Sequence, residues 1–155
     1  MSAIKLTAPT LQLAQKMQGV WWLLSREDWT AEGERRIDTV LGMRPLGILS
    51  YAKDHFAAQF MKKSRTDSLP MQPTHATHNN TQATDGYDAY FGTYAVDEDS
   101  GKVAHTLIGS IVPVNIGMTV IRDLRVDKDE LIIQLQTTTA GGEGITRTLI
   151  FKRIS

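Results

Sequence analysis

Three ionisable residues in strand-like parts of the sequence could carry chemistry if the fold brings them together. Glu27, His105 and Arg122 lie far apart along the chain, each in a segment with the two-residue alternation of a β-strand. An imidazole beside a carboxylate can move protons near neutral pH. A guanidinium can bind or polarise a substrate oxygen. We therefore treat these three residues as the candidate catalytic groups.

Other patterns that are typical of chemical sites favour structural interpretations. The chain has no Cys, which excludes disulfides, thiolate nucleophiles and Cys-based zinc sites. His75 and His78 are spaced for one helix face, but the surrounding Pro, Thr and Asn favour a loop, so we expect no metal. The Gly-rich run 141–144 has no helix after it and predicts a hairpin turn instead of a phosphate cradle. No Ser lies in a nucleophile elbow.

The composition limits the classes of partner. Across 155 residues, 17 Lys and Arg balance 17 Asp and Glu, whereas nucleic-acid binding requires clustered positive charge. The longest apolar stretches are far shorter than the ~20 residues that cross a bilayer, and the N-terminus has no secretory signal pattern. We expect one cytoplasmic domain over residues 1–155, without cofactor, nucleic acid or membrane. The oligomeric state is left open, with a homodimer among the options.

The period of the apolar residues predicts one short helix followed by a chain of strands. The helix covers residues 10–17, with Thr10 as its cap. Short connections after the fourth strand favour an antiparallel meander, and closure into a barrel would remove its exposed edges. A sandwich is the alternative. The polar stretch 62–88 predicts a lid-like loop, with a short helical turn at 81–88. The predicted strands are 20–29, 47–51, 56–61, 90–96, 103–111, 119–126, 131–138 and 145–154.

The ordered motifs of the chain resemble those of the small bacterial and fungal lipocalin-like domain family, within the lipocalin superfamily. The first strand begins with the Gly-x-Trp pattern of a lipocalin barrel entrance, at Gly19 and Trp21. The resemblance extends over most of residues 17–154 and implies an eight-stranded up-and-down barrel that encloses a small, mostly apolar molecule. It does not supply a reaction. The matching segments are 19–25 (GVWWLLS), 45–51 (PLGILSY), 90–94 (YFGTY), 103–105 (VAH), Arg122 and Leu131.

The lipocalin pattern places Trp21 inside the barrel, and strand alternation then assigns the other inward side chains. By this assignment Trp21 closes one end of the barrel, and an Arg packs against it. The inner wall is mostly aliphatic and aromatic, with a few polar groups that converge as in small-molecule sites. Besides Glu27, His105 and Arg122, the predicted ligand-contacting residues are Ser25, Tyr51, Phe60, Tyr90, Tyr94 and Leu107.

Two functions fit such a pocket. The first is a cofactor-free isomerase or cyclase for a small hydrophobic or aromatic natural-product-like molecule. In it His105 and Glu27 move a proton, while Arg122 and a Tyr hydroxyl polarise a carbonyl. The second is a carrier or binding protein with the same pocket and no chemistry. A third, structural alternative is a barrel filled by its own side chains.

Overall fold

The fold consists almost entirely of β-strands. A computed structural model describes residues 11–64, 79–81 and 83–155. One helix, α1, spans Leu13–Lys16, and a 3-10 turn spans Pro113–Asn115. The strands are β1 (Gly19–Trp29), β2 (Arg35–Arg36), β3 (Leu46–Tyr51), β4 (His55–Met61), β5 (Tyr87–Asp97), β6 (Lys102–Ser110), β7 (Thr119–Asp127), β8 (Glu130–Thr138) and β9 (Gly144–Arg153).

The strands form one antiparallel sheet that closes on itself. Its hydrogen-bonded order is β1-β3-β4-β5-β6-β7-β8-β9, and β9 pairs back with β1. The short strand β2 pairs with the last two residues of β1. The predicted eight-stranded up-and-down barrel is therefore confirmed. The sequence did not predict β2, and it placed the start of β5 three residues too late.

Alternating burial along the strands explains why this sequence closes into a barrel. Every second side chain is buried in the middle of β4 and through most of β7. The interior holds Trp21, Leu131 and Phe151, all fully buried. Burial of a large apolar side chain stabilises a fold by about 1.5–3 kcal/mol. The core therefore favours the closed sheet, in which each of the eight long strands pairs with a neighbour on both sides along at least part of its length.

One end of the barrel, the closed end, is sealed by Trp21. Its indole N–H donates to the Met17 carbonyl at 2.8 Å, and the Arg153 guanidinium lies 4.3 Å from the ring centroid. Arg153 also donates to the carbonyls of Lys16 and Gln18. The prediction of Trp21 as a barrel-end plug is confirmed. The cation on the ring is Arg153.

Helix α1 lies against the closed end and is shorter than predicted. Gln12 is its N-cap, and the Glu98 carboxylate accepts from the N–H groups of Leu13 and Ala14. Thr10, the predicted cap, lies outside the described residues. Among the described residues, no helix has the length and apolar character that a bilayer span requires.

A β-bulge changes which side chains of β1 face the interior. The ladder to β9 slips between Leu23 and Ser25, which makes Leu24 the extra residue. Before the slip Leu23 is buried; after it, Asp28 is buried and Arg26 lines the interior. The inward phase of the strand therefore moves from odd-numbered to even-numbered positions.

The barrel wall opens between β7 and β8 toward the end opposite α1, the open end. Their ladder stops at Asp123 and Gln134, although both strands continue toward this end. Asn79 fills the gap. Its amide N–H groups donate to the carbonyls of Ile121 and Gln136 at 3.1 and 3.4 Å, and its Oδ1 accepts from the Ile121 N–H at 2.8 Å.

The predicted helical turn at 81–88 is wrong. Thr84 and Tyr87 exchange two backbone hydrogen bonds, and the two residues between them have positive φ, 53° at Asp85 and 73° at Gly86. This is a two-residue hairpin turn, for which Asp-Gly is the typical sequence. Much of the predicted lid at 62–88 lies outside the described residues.

Candidate functional site

An inner cavity of about 50 Å³ lies within the barrel. By volume it holds a few water molecules. Its wall combines apolar and polar side chains, as in small-molecule sites. The apolar wall includes Leu41, Leu49, Phe56, Phe60, Val120, Ile133, Leu135, Leu149 and Phe151, and the polar groups are Arg26, Tyr51, Asn80, Thr81, Asp88, Tyr90, His105, Arg122 and Arg147.

A larger outer cavity, of about 250 Å³, adjoins the inner one. The two cavities share Asn80, Ala83 and Arg147 in their walls. The outer cavity is otherwise lined by Asp28, residues 36–40, Thr138 and the β8–β9 connection. These three shared residues therefore form the boundary that a ligand entering from the outer cavity would have to pass.

His105 and Tyr51 form a buried hydrogen-bonded pair in the inner cavity. The Tyr51 hydroxyl lies 2.6 Å from His105 Nε2, and the Phe56 ring packs edge-on to the imidazole at 4.6 Å. Burial, together with the nearby charge of Arg122, lowers the pKa of His105 to about 3. Burial also raises the pKa of the Tyr51 phenol well above its usual value. At neutral pH the pair is therefore uncharged and can orient a ligand by hydrogen bonding.

Arg122 is a buried cation held in place by neutral oxygens. Its Nη1 donates to the backbone carbonyl and Oδ1 of Asn79, at 3.0 and 2.9 Å, and to the Ile121 carbonyl at 3.1 Å. No carboxylate of the described residues lies within ion-pair distance of it. Burial lowers its pKa, yet a guanidinium in a protein stays charged.

The other two arginines of the inner cavity have carboxylate partners. Arg147 donates to both oxygens of Asp28, from Nε at 2.8 Å and from Nη2 at 3.0 Å. Arg26 pairs with Asp38 at 3.2 Å, and Arg147 lies 3.9 Å from the same Asp38 oxygen. Asp38 also accepts from the N–H groups of Val40 and Leu41. These ion pairs fix the loop after β2 against the barrel.

Asp88 is the buried carboxyl group without a cationic partner at ion-pair distance among the described residues. Its Oδ2 accepts from the Thr81 hydroxyl at 2.9 Å, while its Oδ1 has no hydrogen-bond partner there. Burial raises its pKa from 3.8 to about 7. A carboxyl group with this pKa can both donate and accept a proton at neutral pH.

The sequence model of the lipocalin-like domain matches residues 18–154, nearly the whole chain. The chain belongs to the lipocalin-like domain family. No curated protein matches it. The lipocalin-like barrel supports binding of a small molecule, and the inner cavity is where its polar and apolar groups converge.

Five of the predicted site residues line the inner cavity of this lipocalin-like barrel: Tyr51, Phe60, Tyr90, His105 and Arg122. They lie on five strands, β3, β4, β5, β6 and β7. The sequence assigned each of these five residues to the inner face of its strand, and the structure places each of them there. Strand alternation, with Trp21 placed inside by the lipocalin pattern, was therefore sufficient to place them.

The inward placement of Ser25 and Glu27 is wrong. Both follow the bulge at Leu24, so both face the outer surface of the barrel, where they line a groove. Glu27 accepts from the indole N–H of Trp29 at 3.2 Å and lies 3.5 Å from Arg35. The expected pairing of Glu27 with His105 is therefore absent, and Arg26 takes the inward position.

Tyr94 and Leu107 do not line the inner cavity. The Tyr94 hydroxyl donates to the carbonyls of Ala52 and Lys53 in the β3–β4 turn, and its ring packs edge-on to Tyr51 at 5.0 Å. Leu107 is 1 % exposed and belongs to the packed core. Both face inward as expected, but neither is among the residues that line the cavity.

Sequence reasoning missed four charged residues at this site: Arg26, Asp28, Asp88 and Arg147. Arg147 has the same parity as the inward residues Leu149 and Phe151, and Asp88 has the parity of Tyr90. Continuing the alternation by two positions, from Leu149 to Arg147 and from Tyr90 to Asp88, would have found both. Arg26 and Asp28 carry no such signal, because only the bulge turns them inward.

Among the described residues, no group of three His, Cys, Asp or Glu side chains could hold a metal ion. His75 and His78, considered above for that role, lie outside the described residues.

Proposed function

We propose that the barrel encloses a small, largely apolar, natural-product-like molecule and acts on it as a cofactor-free isomerase or cyclase. The observation that carries this proposal is Asp88, a buried carboxyl group with a pKa of about 7 and an oxygen without a described hydrogen-bond partner. It lines the same cavity as the Arg122 cation. Such a pair is suited to proton transfer next to a substrate oxygen.

The proposed reaction is a proton shuttle on the substrate's own carbon skeleton. Ionised Asp88 accepts a proton from a carbon next to a carbonyl, and the C–H electron pair moves toward the carbonyl oxygen. Arg122 stabilises the negative charge on the conjugated oxygen. Protonated Asp88 then returns the proton at another position, so the product is an isomer and no proton is gained or lost. In this scheme Asp88 takes the role predicted for Glu27.

His105 and Tyr51 position the substrate in this scheme. With a pKa of about 3, the imidazole stays neutral and is a weak base at pH 7. Their hydrogen-bonded pair instead fixes one polar contact beside the aromatic wall. A substrate larger than a few water molecules also requires the boundary formed by Asn80, Ala83 and Arg147 to move, so that the two cavities join.

Phenylpyruvate tests the proposal because it combines an aromatic ring, a carbonyl and exchangeable methylene protons. We expect the protein to accelerate deuterium exchange at the methylene group in D2O, followed by NMR. Asp88→Asn and Arg122→Gln should each lower the rate by about 100-fold or more. Asp127→Asn, an exposed carboxyl at the end of β7, is the matched control and should leave the rate unchanged. Equal rates in wild type and Asp88→Asn would refute the assigned reaction.

A second candidate, a carrier without chemistry, is favoured by the position of Glu27. Because Glu27 faces outward, His105 lacks the carboxylate partner that the proton shuttle predicted from the sequence requires. Arg122 and the Tyr hydroxyls would then only hold the polar end of the ligand. Binding of phenylpyruvate without accelerated exchange would support this function.

A further inference from the structure

Two of the arginines that line the inner cavity have carboxylate partners among the described residues, and a third does not. Of the three arginines that line the inner cavity, Arg26 and Arg147 pair with Asp38 and Asp28. Arg122 has no carboxylate within ion-pair distance among the described residues. A buried charge without a partner costs several kcal/mol relative to a paired one. The interior therefore holds one cation whose partner is not supplied by the described part of the chain.

The geometry of Arg122 shows which part of it is free. All its hydrogen bonds to described residues come from Nη1. Nε and Nη2 form the opposite edge of the guanidinium, and this edge makes no hydrogen bond with the described residues. In Arg147 the same edge binds both oxygens of the Asp28 carboxylate, at 2.8 and 3.0 Å. A side-on carboxylate is the typical occupant of such an edge.

We infer that the ligand is an organic acid whose carboxylate binds side-on to the Nε–Nη2 edge of Arg122, with its apolar body against the aliphatic and aromatic wall. This inference rests on the proposed function and narrows its substrate class to acids, such as phenylpyruvate, whose carboxylate is attached to the reacting carbonyl. Arg122 then holds the carboxylate directly and stabilises the neighbouring oxygen by its charge. Asn79 is then a positioning residue, because its two oxygens hold Nη1 and so fix the orientation of the free edge. Phe60, Leu149 and Phe151 lie on the apolar wall of the same cavity.

The test compares two probes of nearly equal shape that differ in charge, cinnamate and cinnamamide, by calorimetric titration of the full chain at about pH 6. A charge-assisted, bidentate contact predicts that wild type binds cinnamate at least about tenfold more tightly. Arg122→Gln should remove this preference by weakening cinnamate binding alone. Arg125→Gln, the same substitution at an exposed position of β7, is the matched control and should keep it.

The outcomes distinguish a failure of the organic-acid inference from a failure of the proposed function. Equal affinity of wild type for the two probes overturns the organic-acid inference and leaves the small-molecule site standing. Binding of neither probe overturns the proposed function and this inference together. A preference for cinnamate that persists in folded Arg122→Gln, checked by circular dichroism, shows that another cation receives the acid and overturns the assignment to Arg122. Arg122→Lys keeps the positive charge but lacks the two parallel N–H donors of the guanidinium. It should retain only part of the preference for cinnamate over cinnamamide.

Discussion

At the scale of single residues, the buried carboxyl groups of the barrel differ in the hydrogen bonds that they receive. Asp28 receives two hydrogen bonds from Arg147, whereas Asp88 receives one from Thr81. Both carboxyl groups are nearly inaccessible to water. Burial without a close cation favours the neutral acid, which is why the pKa of Asp88 rises to about 7.

This raised pKa makes the stability of the protein depend on pH in a defined direction. The pKa of Asp88 is 3.8 when exposed and about 7 when folded, so folding favours its protonated form. Its stabilising contribution is fully present below about pH 3.8 and is lost as the pH rises through 7. Asp88→Asn does not ionise. Its free energy of unfolding relative to wild type should therefore increase by about 3 kcal/mol between about pH 4.5 and about pH 8.

Urea unfolding at the two pH values measures this difference. His105, whose lowered pKa acts in the opposite direction, is present in both proteins, so its contribution cancels. Asp127→Asn, the same substitution at the exposed end of β7, is the matched control. A constant difference between Asp88→Asn and wild type would mean that Asp88 is ionised in the fold across this range.

At the scale of strands, regular alternation could be predicted from the sequence and irregular pairing could not. The pattern of β4, β6 and β7 placed Phe60, His105 and Arg122 correctly inside. In β1 the pattern continues past Leu24 without any change in residue type that marks the slip. A bulge depends on how two strands fit each other, so the sequence of one strand did not reveal it.

Deleting Leu24 should therefore be tolerated. Leu24 is the extra residue of the bulge and its side chain is 54 % exposed. Without it, Ser25 follows Leu23 in a regular ladder, and Arg26 and Asp28 keep their inward phase. We expect a folded protein with a loss of no more than about 1–2 kcal/mol and an intact Arg147–Asp28 pair, measurable by urea unfolding and by a crystal structure.

Deleting Ile132 is the contrasting control. It lies in β8, which pairs regularly with β7 and β9 on both sides. Without Ile132, the side chains on one side of the deletion would point to the opposite face of the sheet, so that apolar side chains face water. This variant should not fold. If both deletions behave alike, Leu24 is not the residue that sets the phase of β1.

A second bulge, between β5 and β6, depends on Gly92. A Cβ placed there would lie 1.8 Å from the Thr106 carbonyl oxygen and 2.9 Å from the Ile108 nitrogen. Both contacts are to backbone, which cannot move aside cheaply. Gly92→Ala should lower the free energy of unfolding by about 3 kcal/mol or more. Gly144→Ala, where no atom lies within 4 Å, should change it by less than about 1 kcal/mol.

At the scale of the whole molecule, the two ends of the barrel have separate roles. The closed end, with Trp21, Arg153 and α1, is built from apolar packing and backbone hydrogen bonds. The buried ion pairs and the outer cavity lie toward the other end, while the lining of the inner cavity extends from Arg147, opposite Asp28, to Tyr51, opposite Gly19. The sequence predicted this fold well, because eight strands and a plugging Trp follow from local patterns. It predicted the charged cluster poorly, because that cluster depends on which strand ends meet in space.

This separation predicts that the closed end can be weakened without affecting ligand binding. Arg153→Gln removes the cation from the Trp21 ring and the bonds to the Lys16 and Gln18 carbonyls. It should lower the free energy of unfolding by about 1–3 kcal/mol and leave the affinity for cinnamate unchanged. Lys152→Gln, an exposed neighbour, is the control for stability. A large loss of affinity in Arg153→Gln would show that the two ends are coupled.

The gap between β7 and β8 offers a direct way to observe the open end. The Ile121 amide hydrogen is bonded to the Asn79 side chain instead of a neighbouring strand. Its exchange with solvent deuterium therefore follows the departure of Asn79, while the amides in the paired half of β7 follow unzipping of the sheet. We expect the Ile121 amide hydrogen to exchange more slowly when an acid is bound to Arg122. That result would show that a bound ligand holds Asn79 in the gap between β7 and β8.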